Sequence, residues 1–183
     1  MSRIAIPATV DAAPSASQPL LQAVKRQLGS VPNLFRLVAN SPAALEGYVG
    51  LLGALGKGAL PAATGERIAL AVAEINGCGY CLSAHTYLGK HVAKLDDTEI
   101  AANRSGGSND AKADAAVRFA VSVTQQRGHV SEAELQAVRN AGYSDAQVIE
   151  IVLHVALNTW TNYINEVAKT DIDFPVVTTR KAA

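Results

Sequence analysis

Apolar residues recur along the chain at three- and four-residue intervals, and glycine, proline, hydroxyl and carboxylate residues break the pattern where helices stop and start. Leu21, Val24 and Leu28 form one stripe ended by Gly29, and a shorter apolar turn follows through Leu34, Phe35 and Val38. Ser41-Pro42 supplies an N-cap and then a proline at the first helical position, where its missing N–H is not needed; Leu45, Val49 and Leu52 continue on one face. After Gly56-Lys57-Gly58, a strongly apolar segment from Pro61 places Ile68, Val72 and Ile75 at helical spacing and stops at Asn76-Gly77. The next helix is expected from 78 to about 93. Asp96 or Asp97 caps a short helix, and Asn109 opens another with Ala113, Ala116, Val117, Ala120 and Thr124 on one side. Ser131 with Glu134, and Ser144 with Gln147, have capping-box spacing, and the last helix spans 145–168.

No run of alternating β-branched residues appears, so hairpins and βαβ units lack their signals. The expectation is an all-α fold of about seven or eight helices in one domain, 20–175. A flexible arm, 1–19, precedes it, small, Pro-interrupted and aperiodic from residue 8, and a tail, 176–183, follows. A length of 183 residues suits one domain with a sizeable core. The glycines from 47 to 58 suit close helix approach rather than phosphate binding, because no strand precedes them and no P-loop lysine follows.

Charge removes several function classes. Lys+Arg and Asp+Glu balance at 16 each, with an isoelectric point near 6.9, so the basic footprint of a nucleic-acid binder is missing. Near-zero net charge with 49% hydrophobic residues leaves room for apolar surface hidden between subunits, and oligomerisation is expected. Nowhere do eighteen apolar residues run together, and the first residues lack an apolar signal core; a soluble, cytoplasmic protein without a membrane partner is expected. Two cysteines, three apart, cannot form a long-range staple, which points to chemistry.

That chemistry concentrates in the stretch from Glu66 to His85. At a helix start, the Cys78 sulfur would face unsatisfied N–H groups and the positive end of the helix dipole, both favouring thiolate. Cys81 shares its face, and His85, four residues further, places a proton acceptor beside a thiol. Glu66 and Glu74 lie on the preceding helix, where an unpaired carboxylate is expensive, so one of them should have a partner. A carboxylate bonded to His85 would fix its tautomer and raise its basicity.

The pattern Glu66, eleven residues, Cys78-Gly-Tyr-Cys81, three residues, His85 resembles the active-site signature of the AhpD-like alkylhydroperoxidases in the carboxymuconolactone decarboxylase superfamily. The resemblance extends from Val31-Pro32-Asn33-Leu34-Phe35 to Asn162-Tyr-Ile-Asn165 and Asp171-Ile-Asp173-Phe174-Pro175, as in the peroxidase-related branch. It implies a helical subunit that assembles as a homo-oligomer, a trimer or hexamer, and reduces hydroperoxides through the cysteine pair, with no cofactor or metal. It further implies a Glu66–His85 proton relay, peroxide attack by Cys81, disulfide closure by Cys78, and a lipoyl-bearing or thioredoxin-like protein reductant. Proteins of the AhpD type proper have histidine before the second cysteine, and Tyr80 stands there instead. A tyrosine donates a hydrogen bond but is a poor base near neutral pH.

Other readings compete. Cys78, Cys81 and His85 supply three potential zinc ligands, with a carboxylate, water or a distant His91, His129 or His154 as the fourth. A redox-sensing helical module and a lactone-acid decarboxylase are further alternatives, though decarboxylation has no need of two thiols. Tyr80, Glu74, His154 and Asn162 are expected as supporting residues. His154 and Asn162 also read as buried polar anchors, Trp160 as packing or subunit contact, and His91 and His129 as surface residues.

Overall fold

In the computed structural model, which describes residues 2–180, the described residues form nine α-helices and no strand. These are α1 (Gln18–Leu28), α2 (Asn33–Val38), α3 (Pro42–Leu55), α4 (Ala62–Ile75), α5 (Gly79–His91), α6 (Asp97–Arg104), α7 (Ala111–Gln125), α8 (Glu132–Asn140) and α9 (Asp145–Ala168). The all-α expectation holds. The short apolar turn after Gly29 is itself a helix, α2, which brings the count to nine. Both capping boxes form, and α9 spans the expected residues because Ser144 accepts from the Gln147 N–H. Asp96 caps α6, and Asp110 rather than Asn109 caps α7, accepting from the Ala113 N–H at 2.8 Å.

Helix α4 is the pillar, packed against α5, α6, α7 and α9. Its side chains divide between two apolar clusters. Leu70 and Ala73 join a cluster containing α1 to α3, both cysteines and Leu157 of α9; Ile68 and Val72 join one built from α7, α8 and the first half of α9. Each of Ile68, Leu70 and Val72, fully withdrawn from water, contributes roughly 1.5–3 kcal/mol. Alanines at 69, 71 and 73 let neighbouring helices approach between the large side chains. The close approach expected of the 47–58 glycines occurs at Gly58, where an added Cβ would stand 2.7 Å from the Glu150 carboxylate of α9, and is absent at Gly47, Gly50 and Gly53, where it would touch nothing within 4 Å. It occurs also at Gly65, where a Cβ would stand 2.8 Å from the His154 ring.

Within the expected arm, residues 2–14 have no helix and Ser15–Ser17 form a 3-10 turn, and hydrogen bonds tie the segment down. The Arg3 N–H donates to the Ala168 carbonyl at 2.6 Å, and Arg36 Nη1 donates to the Ala8 carbonyl at 2.7 Å. Pro19 belongs to the first turn of α1, where proline is tolerated, so this helix starts slightly ahead of the expected boundary. Beyond α9 the chain runs back as an irregular strap. Asp173 accepts from the Asn33 N–H at 2.7 Å and from the Tyr80 hydroxyl at 2.8 Å, and the Val177 N–H donates to Ser83 Oγ at 2.9 Å. Met1 of the expected arm and residues 181–183 of the expected tail lie outside the described residues. Among the described residues no helix is long and apolar enough to cross a membrane.

Candidate active site

The turn between α4 and α5 creates the site. Asn76 ends α4, and Gly77 takes a left-handed φ of 68° that favours glycine and swings the chain so that Cys78 becomes the N-cap of α5. The Cys78 sulfur accepts from the Cys81 N–H at 3.2 Å, doing what a serine or aspartate oxygen does at most helix starts. One helical turn stacks Cys81 and His85 on that face, and Glu66 of α4 meets His85 Nδ1 at 2.9 Å. Glu66, Cys78, Cys81 and His85 are therefore brought together. Both thiols are free and buried, while the Glu66 and His85 side chains keep 24% and 22% exposure, enough for contact with solvent.

Helix α9 closes the site from the other side. Asn165 Nδ2 donates to Cys81 Sγ at 3.2 Å, and Asn162 Oδ1 accepts from Asn76 Nδ2 at 2.9 Å, fixing its carboxamide beside the thiols. Asn162 fell among the expected supporting residues and Asn165 did not. Its signal was available: a second asparagine one turn after the first, in an otherwise apolar helix. Tyr48 of α3 was also missed, since nothing in its local sequence marks it. It is buried, with its hydroxyl proton held more tightly by burial and by the nearby charges of Cys81 and Glu66. Its ring lies between Phe35 and Trp160, at centroid distances of 5.0 and 5.3 Å. With Gly47, Leu51, Leu157 and Trp160 it lines an apolar groove of about 310 Å³ between α3 and α9.

The electrostatics separate the two sulfurs. Burial alone would raise Cys81, but a hydrogen bond from Cys78, the charge of His85 and the amides of Asn162 and Asn165 outweigh it and bring its pKa down to about 7. Cys78 is pushed up by the proton it gives to Cys81, by burial and by the Cys81 charge, which together outweigh the bond from the Cys81 N–H. This reverses the helix-dipole expectation that Cys78 is the more acidic thiol. One N–H at a helix start is weaker than a facing imidazolium and two side-chain amides. At His85 burial disfavours the charge, but the Glu66 carboxylate and Cys81 raise its pKa above the ordinary value. The site therefore sets a Cys81 thiol of raised acidity, accepting a hydrogen bond from Cys78, beside a histidine whose charged form the Glu66 carboxylate favours.

The remaining expected residues lie elsewhere or at the edge. Glu74 is a structural anchor: its Oε2 accepts from Arg104 Nε at 2.7 Å, and its other oxygen accepts from the Arg180 N–H. The expectation that at least one of the two glutamates has a partner is met by both. Tyr80 points away from the thiols, accepting from the Leu34 N–H at 3.0 Å while donating to Asp173, and so locks α2 and the strap onto α5. Tyr80 thus joins elements together and makes no hydrogen bond to either thiol. His154 packs on Gly65, next to the relay, with burial lowering its pKa. His91 and His129 are exposed. No three His, Cys, Asp or Glu side chains among the described residues are grouped as metal ligands, so the zinc reading finds no ligand set.

Residues 42–119 match the model of the Carboxymuconolactone decarboxylase family. No curated protein matches the chain. Among solved structures it is similar to an uncharacterized peroxidase-related protein from Ralstonia eutropha JMP134, described as an alkylhydroperoxidase AhpD core, with 23% identity, 94% of this chain and 92% of that one covered, and a TM-score of 0.83. A peroxidase-related protein from Silicibacter sp. TM1040 is 23% identical over 93% of this chain and 91% of that one, with a TM-score of 0.80. A cysteine-to-alanine variant of the debrominase Bmp8, in complex with 2,3,4-tribromopyrrole, is 20% identical over 92% and 90%, with a TM-score of 0.76. At these identities the likeness is one of fold.

Proposed function

We propose that the chain, whose residues 42–119 match the Carboxymuconolactone decarboxylase family and whose fold is that of the AhpD-like solved structures, is a member of that superfamily and a thiol-dependent peroxidase reducing organic hydroperoxides through Cys78 and Cys81. One arrangement carries this reading: Cys81, brought down to a pKa of about 7, accepts a hydrogen bond from a second thiol and lies beside a histidine that a carboxylate orients. A structural role needs none of these. The Cys81 thiolate attacks the distal oxygen of the hydroperoxide, the O–O bond breaks, and the leaving alkoxide takes a proton from His85. Glu66 holds the imidazole and stabilises its charge. Cys78 then condenses with the Cys81 sulfenic acid, forming the disulfide and releasing water.

Return to the dithiol requires an outside reductant, a lipoyl-bearing or thioredoxin-like protein, and the reducing pool of the cytoplasm suits such a cycle. One face of α9 leaves Ile149, Val152, Trp160, Tyr163 and Val167 exposed, which supports assembly as a homo-oligomer; a trimer or hexamer is the form that the family resemblance implies. Turnover of a carboxymuconolactone-like acid is the weaker alternative, because it leaves the paired thiols without a role.

The test is intact mass and free-thiol count on reduced protein after one equivalent of cumene hydroperoxide. Loss of both thiols, far faster than for a free model thiol, is expected. Thiols that survive, or that oxidise no faster than the model, would sink the peroxidase reading.

A further inference from the structure

Two buried polar atoms on the asparagines flanking Cys81 have no partner: Nδ2 of Asn162 and Oδ1 of Asn165. Their residues are 0% and 2% exposed, so solvent does not serve them. An unmet buried donor or acceptor costs about 1–3 kcal/mol each. The other end of each carboxamide is engaged, Asn162 Oδ1 by Asn76 and Asn165 Nδ2 by the Cys81 sulfur, which fixes both orientations. The spare donor has a use in the reduced protein, since it faces Cys81 closely enough to favour the thiolate. The spare acceptor has none, because an acceptor beside an anion is unfavourable. It acquires a use only when the sulfur carries a hydrogen-bond donor.

A sulfenic acid is such a group, an oxygen that accepts and a hydrogen that is donated. We infer that Asn162 and Asn165 form a receptacle for the single oxygen atom left on Cys81, with Asn162 Nδ2 donating to that oxygen and Asn165 Oδ1 accepting its hydrogen. This rests on the peroxidase reading. In the step concerned the S–O bond forms as the O–O bond breaks, and the electron pair leaves with the alkoxide, which His85 protonates. Sulfur is oxidised by two electrons and the peroxide reduced by two. Cys78 then forms the S–S bond, the S–O bond breaks, and the oxygen leaves as water.

The test uses the full-length Cys78→Ser protein, in which the disulfide cannot close. One equivalent of cumene hydroperoxide is added, and dimedone trapping with intact mass gives the lifetime of the one-oxygen adduct and its conversion to sulfinic acid. Adding Asn165→Leu or Asn162→Leu is expected to shorten that lifetime roughly fivefold, the loss of one good hydrogen bond. Asn165→Gln, which keeps the carboxamide, should recover part of it. Circular dichroism checks folding, and if Asn162→Leu does not fold, Asn165→Leu, which leaves the Asn76–Asn162 bond intact, decides. An unchanged lifetime in the folded variant overturns the inference alone. Absence of any one-oxygen adduct in the Cys78→Ser parent overturns the peroxidase reading, and the inference with it.

Discussion

The two ends of α4 each carry a sheltered glutamate, and their partners differ in one property. Glu74 meets Arg104 at 2.7 Å, while Glu66 meets His85 at 2.9 Å. A guanidinium never gives up its proton in a protein, so the Glu74 end is a permanent ion pair that clamps α6 and the strap to the pillar. An imidazole exchanges its proton near neutrality, so the Glu66 end is a pair whose charge can change during a reaction. Glu99 repeats the first arrangement, accepting from Arg67 Nε at 2.6 Å and from the Asn109 N–H at 2.7 Å. The same carboxylate chemistry thus serves architecture or reactivity according to whether the neighbouring cation can titrate.

Substitutions at the two ends should separate activity from stability. Cys81→Ser, at the reactive end, is expected to abolish peroxide consumption in a coupled assay while leaving thermal unfolding nearly unchanged. At the architectural end, Glu74→Gln strands a largely buried Arg104 and should cost about 3 kcal/mol in urea unfolding, with activity per folded molecule retained. Glu66→Gln reverses that signature: kcat/KM should fall roughly ten- to a hundredfold with little change in the urea midpoint. If Glu66→Gln destabilised as much as Glu74→Gln and left kcat/KM intact, the contrast between the two ends would collapse.

The smallest effect is one of pH. Because Cys81 sits near 7, below its ordinary thiol value, its oxidation rate should fall as pH drops through about 7. At Glu99, burial would raise the pKa, but hydrogen bonds from Ser108, Asn103, Arg67 and the Asn109 N–H hold it at about 2. A carboxylate depressed in the folded state stabilises above its unfolded value, and that contribution is lost only as pH falls toward about 2. Between roughly pH 8 and pH 5, activity should therefore titrate away reversibly under an unchanged circular dichroism spectrum.

Local chemistry was legible in the sequence. The Ser144 capping box, the Asn76-Gly77 stop and the Cys78–Cys81–His85 face depend on neighbours three or four residues apart, and each appears where the spacing puts it. Tertiary partners were not. Glu74 and Glu66 look alike in sequence, and only Arg104, thirty residues on, makes one of them structural. Tyr80 reads as a site residue from its place in the motif, but its side chain leaves the thiol face to reach Asp173 in the strap. The acidity order of the thiols was misjudged from the helix dipole alone, because the amides that reverse it arrive from α9. Pro19 misled for a different reason: a proline that breaks a helix interior is tolerated in a first turn.

The chain separations within the site set an order of assembly. Glu66 and His85 are 19 residues apart and the two cysteines 3, so the α4–α5 hairpin can gather all four reactive groups soon after collapse begins. Asn165 lies 84 residues from Cys81, and Asp173 lies 93 from Tyr80, so the amide wall and the strap close across much longer loops and later in folding. Loop-closure entropy thus favours pairing of the thiols before α9 covers them, an order that thiol trapping during refolding would test. Refolding under oxidising conditions would then trap the disulfide before α9 docks, whereas refolding with a reductant would let the amide wall close over free thiols.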